Sequence, residues 1–183
     1  MDKKQQRTEI KRRIGQLTEE YQKSSDIVIA DTLFSLSEYQ NASFIFCYVS
    51  TKKEIDTLPI IRHAWEYGKR IAVPKCIGKG IMELYEIHSF DDLESGLYGI
   101  MEPKSSCVRV SVKDIDFGII PCVSCDRNRN RLGHGGGYYD RYLSQSVFVT
   151  AALCREQLML DQVIMESHDL PVDIVISEKK IYR

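Results

Sequence analysis

Short apolar runs alternating with amphipathic stripes predict an α/β domain. The expected form is a three-layer, open, mainly parallel sheet with helices on both faces. Residues 44–49 (Phe-Ile-Phe-Cys-Tyr-Val) are apolar throughout, as a strand covered on both faces must be. Ile55, Leu58, Ile61 and Trp65 then fall at helical spacing, ending at Gly68. Arg70-Ile71-Ala72-Val73-Pro74 follows as a second strand. Strand, helix and strand at this length make a βαβ unit with a right-handed crossover.

In order along the chain, Ile10, Ile14, Leu17 and Tyr21 predict one amphipathic helix over residues 3–22. Ser24-Ser25-Asp26 reads as the cap of a second helix over 25–39. Pro59 falls early enough in the helix after the first strand to be tolerated. Residues 81–87 predict a further strand, reached through Gly78-Lys79-Gly80, and residues 88–113 read mostly as loop. Residues 115–120, 147–153 and 173–176 supply the remaining strands. Ligands of such sheets sit beyond the carboxyl ends of strands, where the loop at 121–137 belongs.

At 183 residues, 43% apolar and 28% charged, the chain suits a single domain over residues 1–183. A net charge of −1 gives no pull toward nucleic acid or acidic membranes. The polar start lacks the apolar core of a secretory signal, and no run is long enough to span a bilayer. The six cysteines are scattered and read as reduced thiols. A soluble, cytoplasmic protein is expected, and size and charge suggest a monomer.

The most informative stretch is Arg131-Leu132-Gly133-His134-Gly135-Gly136-Gly137-Tyr138-Tyr139-Asp140. Its four glycines suit neither helix nor strand. They make a loop whose amides can approach a ligand, running into the start of a short helix, which is an anion site. Arg131 and Asp140 flank it; arginine clamps phosphate oxygens, and a carboxylate beside a phosphate commonly holds Mg²⁺. A nucleotide-phosphate site is the reading, although neither a Walker loop nor a dinucleotide fingerprint is present. Lys3 and Arg7 share one face of the first helix, either as a solvated basic end or as cations reaching for phosphates. Cys122-x-x-Cys125 lacks a second pair, and His134 is the only histidine nearby, so four-ligand zinc spacing is missing and the thiols read as buried or incidental. His63, His88 and His168 have no local catalytic partner. Asp173, at the start of a strand, either caps a turn or points into the cleft.

Taken together, these residues resemble the 5-formyltetrahydrofolate cyclo-ligase family over nearly the whole chain. Arg131 to Asp140 is the specific motif; the basic start, Glu54, Gly99-Ile100-Met101-Glu102-Pro103 and His168-Asp169-Leu170-Pro171-Val172-Asp173 support it in that order. The resemblance implies ATP contacts from Lys3, Lys4, Arg7, Arg131, Leu132, Gly133, His134, Gly135, Gly136, Gly137, Tyr138 and Tyr139. Folate contacts are implied for Val49, Glu54, His134, Gly135, Gly136, Gly137 and Tyr138. Arg131 and Asp140 become the catalytic pair, and Asp140 with Asp173 the Mg²⁺ ligands. The implied reaction turns 5-formyltetrahydrofolate and ATP into 5,10-methenyltetrahydrofolate, ADP and phosphate. Two departures stand out: Cys122 and Cys125 replace a glycine and an aromatic in the lead-in, and Arg129 stands where glycine is common. A non-catalytic folate- or nucleotide-binding module is the alternative. An isomerase or transferase would need a general base near the loop, and none is evident.

Overall fold

Successive side chains of a strand point to opposite faces, so a strand apolar at every position must be covered twice. The computed structural model describes residues 2–96 and 99–183 and shows how this chain does so. Its helices and strands in order are α1 (Lys3–Ile14), α2 (Glu19–Ser35), α3 (Ser37–Asn41), β1 (Phe44–Cys47), α4 (Leu58–Glu66), β2 (Arg70–Gly78) and β3 (Ile81–Ile87). Then follow β4 (Leu93–Ser95), β5 (Met101–Pro103), β6 (Val108–Val110), β7 (Phe117–Ile120), β8 (Ser124–Cys125), β9 (Arg131–Leu132), α5 (Tyr138–Leu143), β10 (Val149–Leu153), β11 (Ile174–Ile176) and β12 (Ile181–Tyr182).

Eight strands form one sheet in the order β12-β11-β10-β7-β1-β2-β3-β6. From β11 to β2 the neighbours are parallel, while β12, β3 and β6 join antiparallel at the two edges. Residues of one parity, including Ile45, Cys47, Ile71, Phe117, Ile119 and Ala151, pack under Ile29, Leu33, Ile60, Ile61 and Ala64 of α2 and α4. The other parity, including Phe44, Phe46, Ala72, Ile120 and Ala152, is covered by Ile10 of α1 and Leu143 of α5. The expected three-layer α/β sheet is what forms. Among the described residues no helix is long and apolar enough to cross a membrane.

Three expectations need correction. The helix expected over 3–22 is two helices. Gly15 closes α1 behind the basic turn of Lys11, Arg12 and Arg13, and the Thr18 hydroxyl accepts the Tyr21 N–H to start α2. A cap and two acidic residues in a first turn outweigh a continuing apolar stripe. The helix expected over 25–39 therefore begins at Glu19 and stops at Ser35, where Leu36 turns extended before α3. Residues 88–113, read as loop, hold β4, β5 and β6; such short strands carry too few residues for a visible period, and Leu97 and Tyr98 lie outside the described residues.

One buried ion pair ties α2 to the carboxyl end of the sheet. Arg155, just past β10 and only 2% exposed in its side chain, donates to Asp26 Oδ1 at 2.7 Å and to the Glu54 carbonyl at 3.2 Å. Replacing Asp26 by alanine leaves a guanidinium buried without its counter-charge, a loss of about 3 kcal/mol. Urea unfolding should show Asp26→Ala with a lower midpoint and an unchanged slope.

Candidate active site

The carboxyl ends of β1 and β7 are adjacent in the sheet, and each continues into a loop that turns over the same edge. After β1, Tyr48 and Val49 stay buried and the chain enters a loop closed on Thr57. The Thr57 hydroxyl donates to the Tyr48 carbonyl at 2.8 Å and accepts the Ser50 N–H at 3.0 Å. At the rim, Glu54 Oε2 accepts the N–H and hydroxyl of Thr51 at 2.7 and 2.9 Å. Its Oε1 lies 3.2 Å from His134 Nε2. Burial pushes the Glu54 carboxyl up, but His134 and the Thr51 bonds outweigh it and hold it below the usual carboxylate range.

After β7 the chain makes the β8–β9 hairpin. Its tip is organised by Asp126, fully buried, whose carboxylate accepts N–H groups from Asn128, Asn130 and Val163 and the Asn130 side-chain amide at 2.8 to 3.0 Å. Arg129 in that turn has φ of 68°. This is the conformation that glycine supplies without strain, which gives the Arg129 departure a physical meaning.

Arg131 opens β9 and turns inward. Its guanidinium donates to the Pro121 carbonyl at 3.0 Å and to Asp140 Oδ1 at 2.8 Å, with its side chain 2% exposed. Its Nε is buried and has no hydrogen-bond partner among the described residues. The arginine expected to meet phosphate lies under the loop and joins the end of β7 to α5. The loop passes over it with Gly135 at φ 99° and Gly137 at φ 67°, both in the left-handed region, and Gly137 begins α5 with no side-chain cap. Tyr139 then stacks on Phe46 at 6.0 Å between ring centres. Tyr138 faces the other way, into a cleft of about 710 Å³ shared with Arg141, Tyr142, Arg109 and residues of β3.

The first helix meets this loop from outside. Arg7 Nε donates to the Gly133 carbonyl at 2.7 Å. Lys3 pairs with Asp169 and with Glu166 at 3.1 Å. The structure thus brings Lys3, Arg7, Glu54, Asp140 and the stretch from Arg131 to Tyr139 to one edge of the sheet. Lys4 is not among them; it is exposed, about a third of a turn away from the face that Lys3 and Arg7 share. Val49 is only 6% exposed, so it lies in the floor of this edge rather than on its surface.

Asp173 is not there either. It precedes β11, and its Oδ2 accepts the N–H and hydroxyl of Thr150 at 2.8 and 2.9 Å. Thr150 pairs with Gly118 near the amino end of β7, whereas Arg131 and Asp140 meet beyond its carboxyl end. The expected Asp140–Asp173 metal pair is therefore at opposite ends of the strands. The capping alternative is the one the structure supports. Sequence reading passed over Asp169, which faces the basic helix; its neighbourhood in a histidine-bearing turn was the only signal. It also missed Cys154, whose sulfur joins Cys122 and Cys125, all three Sγ atoms within 4.8 Å of one another. Distance in sequence hid that cluster.

Comparison with known proteins bears on the family and the fold. The curated relatives include a probable 5-formyltetrahydrofolate cyclo-ligase of Schizosaccharomyces pombe, 28% identical over 100% of this chain and 98% of that one. The 5-formyltetrahydrofolate cyclo-ligase of Mus musculus is 28% identical over 94% and 91%. Among solved structures, the 5,10-methenyltetrahydrofolate synthetase of Aquifex aeolicus superposes with a TM-score of 0.89 at 31% identity, covering 100% of this chain and 93% of that one. The 5-formyltetrahydrofolate cyclo-ligase family model matches residues 1–178, nearly the whole chain, and the chain belongs to that family.

Proposed function

We propose that residues 1–183 act as one cyclo-ligase domain, a cytoplasmic monomer. In it the glycine loop and α1 hold ATP against 5-formyltetrahydrofolate bound at the end of β1. The family's reaction, cyclisation of 5-formyltetrahydrofolate with ATP as co-substrate, is the activity of this chain. The observation that carries the site assignment is the convergence of Arg7 on the Gly133 carbonyl with Glu54 on His134. A cationic helix and a carboxylate loop then close on the two sides of one glycine loop.

The N-formyl carbon is amide-like and a poor electrophile. Its oxygen attacks the γ-phosphorus of ATP and ADP leaves, so the formyl oxygen becomes part of a phosphate leaving group. N10 of the folate then attacks that carbon, the new ring loses the N10 proton and phosphate departs, giving the 5,10-methenyl product. No protein nucleophile is needed. The chain's work is placement and charge stabilisation at the transferring phosphoryl. Backbone amides from Gly133 to Tyr138 face the phosphates, and Lys3 and Arg7 supply positive charge from α1. Arg131 is a positioning residue: its bond to Asp140 fixes the first turn of α5. Glu54, held ionised, orients His134 and the pterin edge, with Val49 as floor.

Mg²⁺ bound with ATP would supply counter-charge to the phosphates. Asp140, which gives one carboxylate oxygen to Arg131, would help hold it, whereas Asp173 gives its Oδ2 to Thr150 at the amino end of β11.

Mixing the protein with Mg-ATP and 5-formyltetrahydrofolate should give the methenyl chromophore and ADP in equal amounts. Folate binding with no ADP would mark a non-catalytic module and overturn this reading. Asp140→Ala should lower turnover by on the order of a hundredfold or more, the scale of one key electrostatic group; stopped-flow absorbance measures it. The double variant Lys3→Ala, Arg7→Ala should raise the KM for ATP severalfold while the folate KM moves little, which initial-rate kinetics separate.

A further inference from the structure

Three of the six cysteines have sulfurs that converge, although the cyclo-ligase chemistry uses none of them. Cys122 and Cys154 are the second and first residues past the ends of β7 and β10, which lie side by side in the sheet. The β8–β9 hairpin folds Cys125 back over them. All three Sγ atoms lie within 4.8 Å of one another, and all six cysteines are free thiols. Packing accounts for single buried cysteines. It does not call for three soft donors meeting at one point.

We propose that Cys122, Cys125 and Cys154 form a three-thiolate site for a thiophilic d¹⁰ cation such as Zn²⁺ or Cu⁺. Metal–sulfur bonds near 2.3 Å place the sulfurs of such a site roughly 4 Å apart, a spacing the cluster accommodates with little movement. Three sulfurs with no oxygen donor among them select soft metals over Mg²⁺ or Ca²⁺.

The scaffold is firm: the Cys125 carbonyl accepts the Leu160 N–H and the Cys154 N–H donates to the Ile176 carbonyl, both at 3.0 Å. Binding releases the thiol protons to solvent. Among the described residues no fourth nitrogen or sulfur ligand joins the cluster. The site therefore keeps an open position for water or a small thiol, unlike a closed structural zinc site. Cys125 pairs across the hairpin with Arg131, so a bound ion would brace the strand that carries the nucleotide loop.

The test uses the reduced, metal-free full chain titrated with Cd²⁺, whose thiolate charge-transfer absorption reports sulfur ligation, with Zn²⁺ as competitor. One equivalent should bind tightly, be displaced by Zn²⁺, and raise the melting temperature. Cys154→Ala should weaken Cd²⁺ binding by at least the roughly hundredfold that losing a mere supporting group can cost, while Cys76→Ala, at an exposed thiol away from the cluster, changes nothing. Circular dichroism and cyclisation activity of metal-free Cys154→Ala show whether it is folded; if it is not, Cys154→Ser takes its place. Absence of saturable binding, or equal binding by the variant, overturns the proposal. So does closure of two of the three thiols to a disulfide under glutathione disulfide in a chain that takes up no Cd²⁺.

Discussion

The buried guanidinium of Arg131 is the constraint on which the rest of the site rests. It accepts nothing and must give its N–H groups away, and it gives them to the Pro121 carbonyl and to Asp140. One partner ends a central strand and the other lies in the first turn of α5, so a single side chain sets the distance between sheet and helix. The glycine loop is the chain that spans this fixed gap. Its two left-handed residues, Gly135 and Gly137, are the bends needed to leave β9 and enter α5 in so few steps. A partly satisfied buried arginine is costly by itself. Its presence here makes sense as a device for geometry more than for stability.

The opposite side of the edge is held in a different way. Thr57 and Ser50 exchange hydrogen bonds across the loop after β1, and Arg155 draws in both Asp26 and the Glu54 carbonyl. Glu54 is thus fixed through its backbone by one cation and through its carboxylate by Thr51 and His134. His134 is the meeting point of the two halves, exposed on the glycine loop yet paired to the loop of β1.

The layers of the fold were legible because burial on both faces leaves an unmistakable apolar run, as at residues 44–47 and 117–120. The βαβ unit and the glycine loop were legible for equally local reasons. The break at Gly15 was not, since its apolar stripe continues across two helices that happen to keep the same phase. The site was readable only in part. Lys3 and Arg7 share a face by spacing alone, but nothing local says that Lys3 meets Asp169 or that Arg7 meets Gly133. Asp173 and Asp169 stand four residues apart on either side of Leu170-Pro171-Val172, and only the path of the chain decides which reaches the basic helix. Arg131 was legible as the arginine that leads into the glycine loop, while its direction, inward and under the loop, depends on the strand end that receives it.

The docking of α1 has a consequence for how the fold is assembled. Gln6 bonds to Gln162 and Ile164, and Lys3 to Glu166 and Asp169, so this helix is held by a segment far along the chain. Ile10 reaches its place in the core only when that segment is there to anchor the helix. Seating α1 is therefore a long-range step of folding, and the entropy of closing so large a loop delays it behind the local pairings of the sheet.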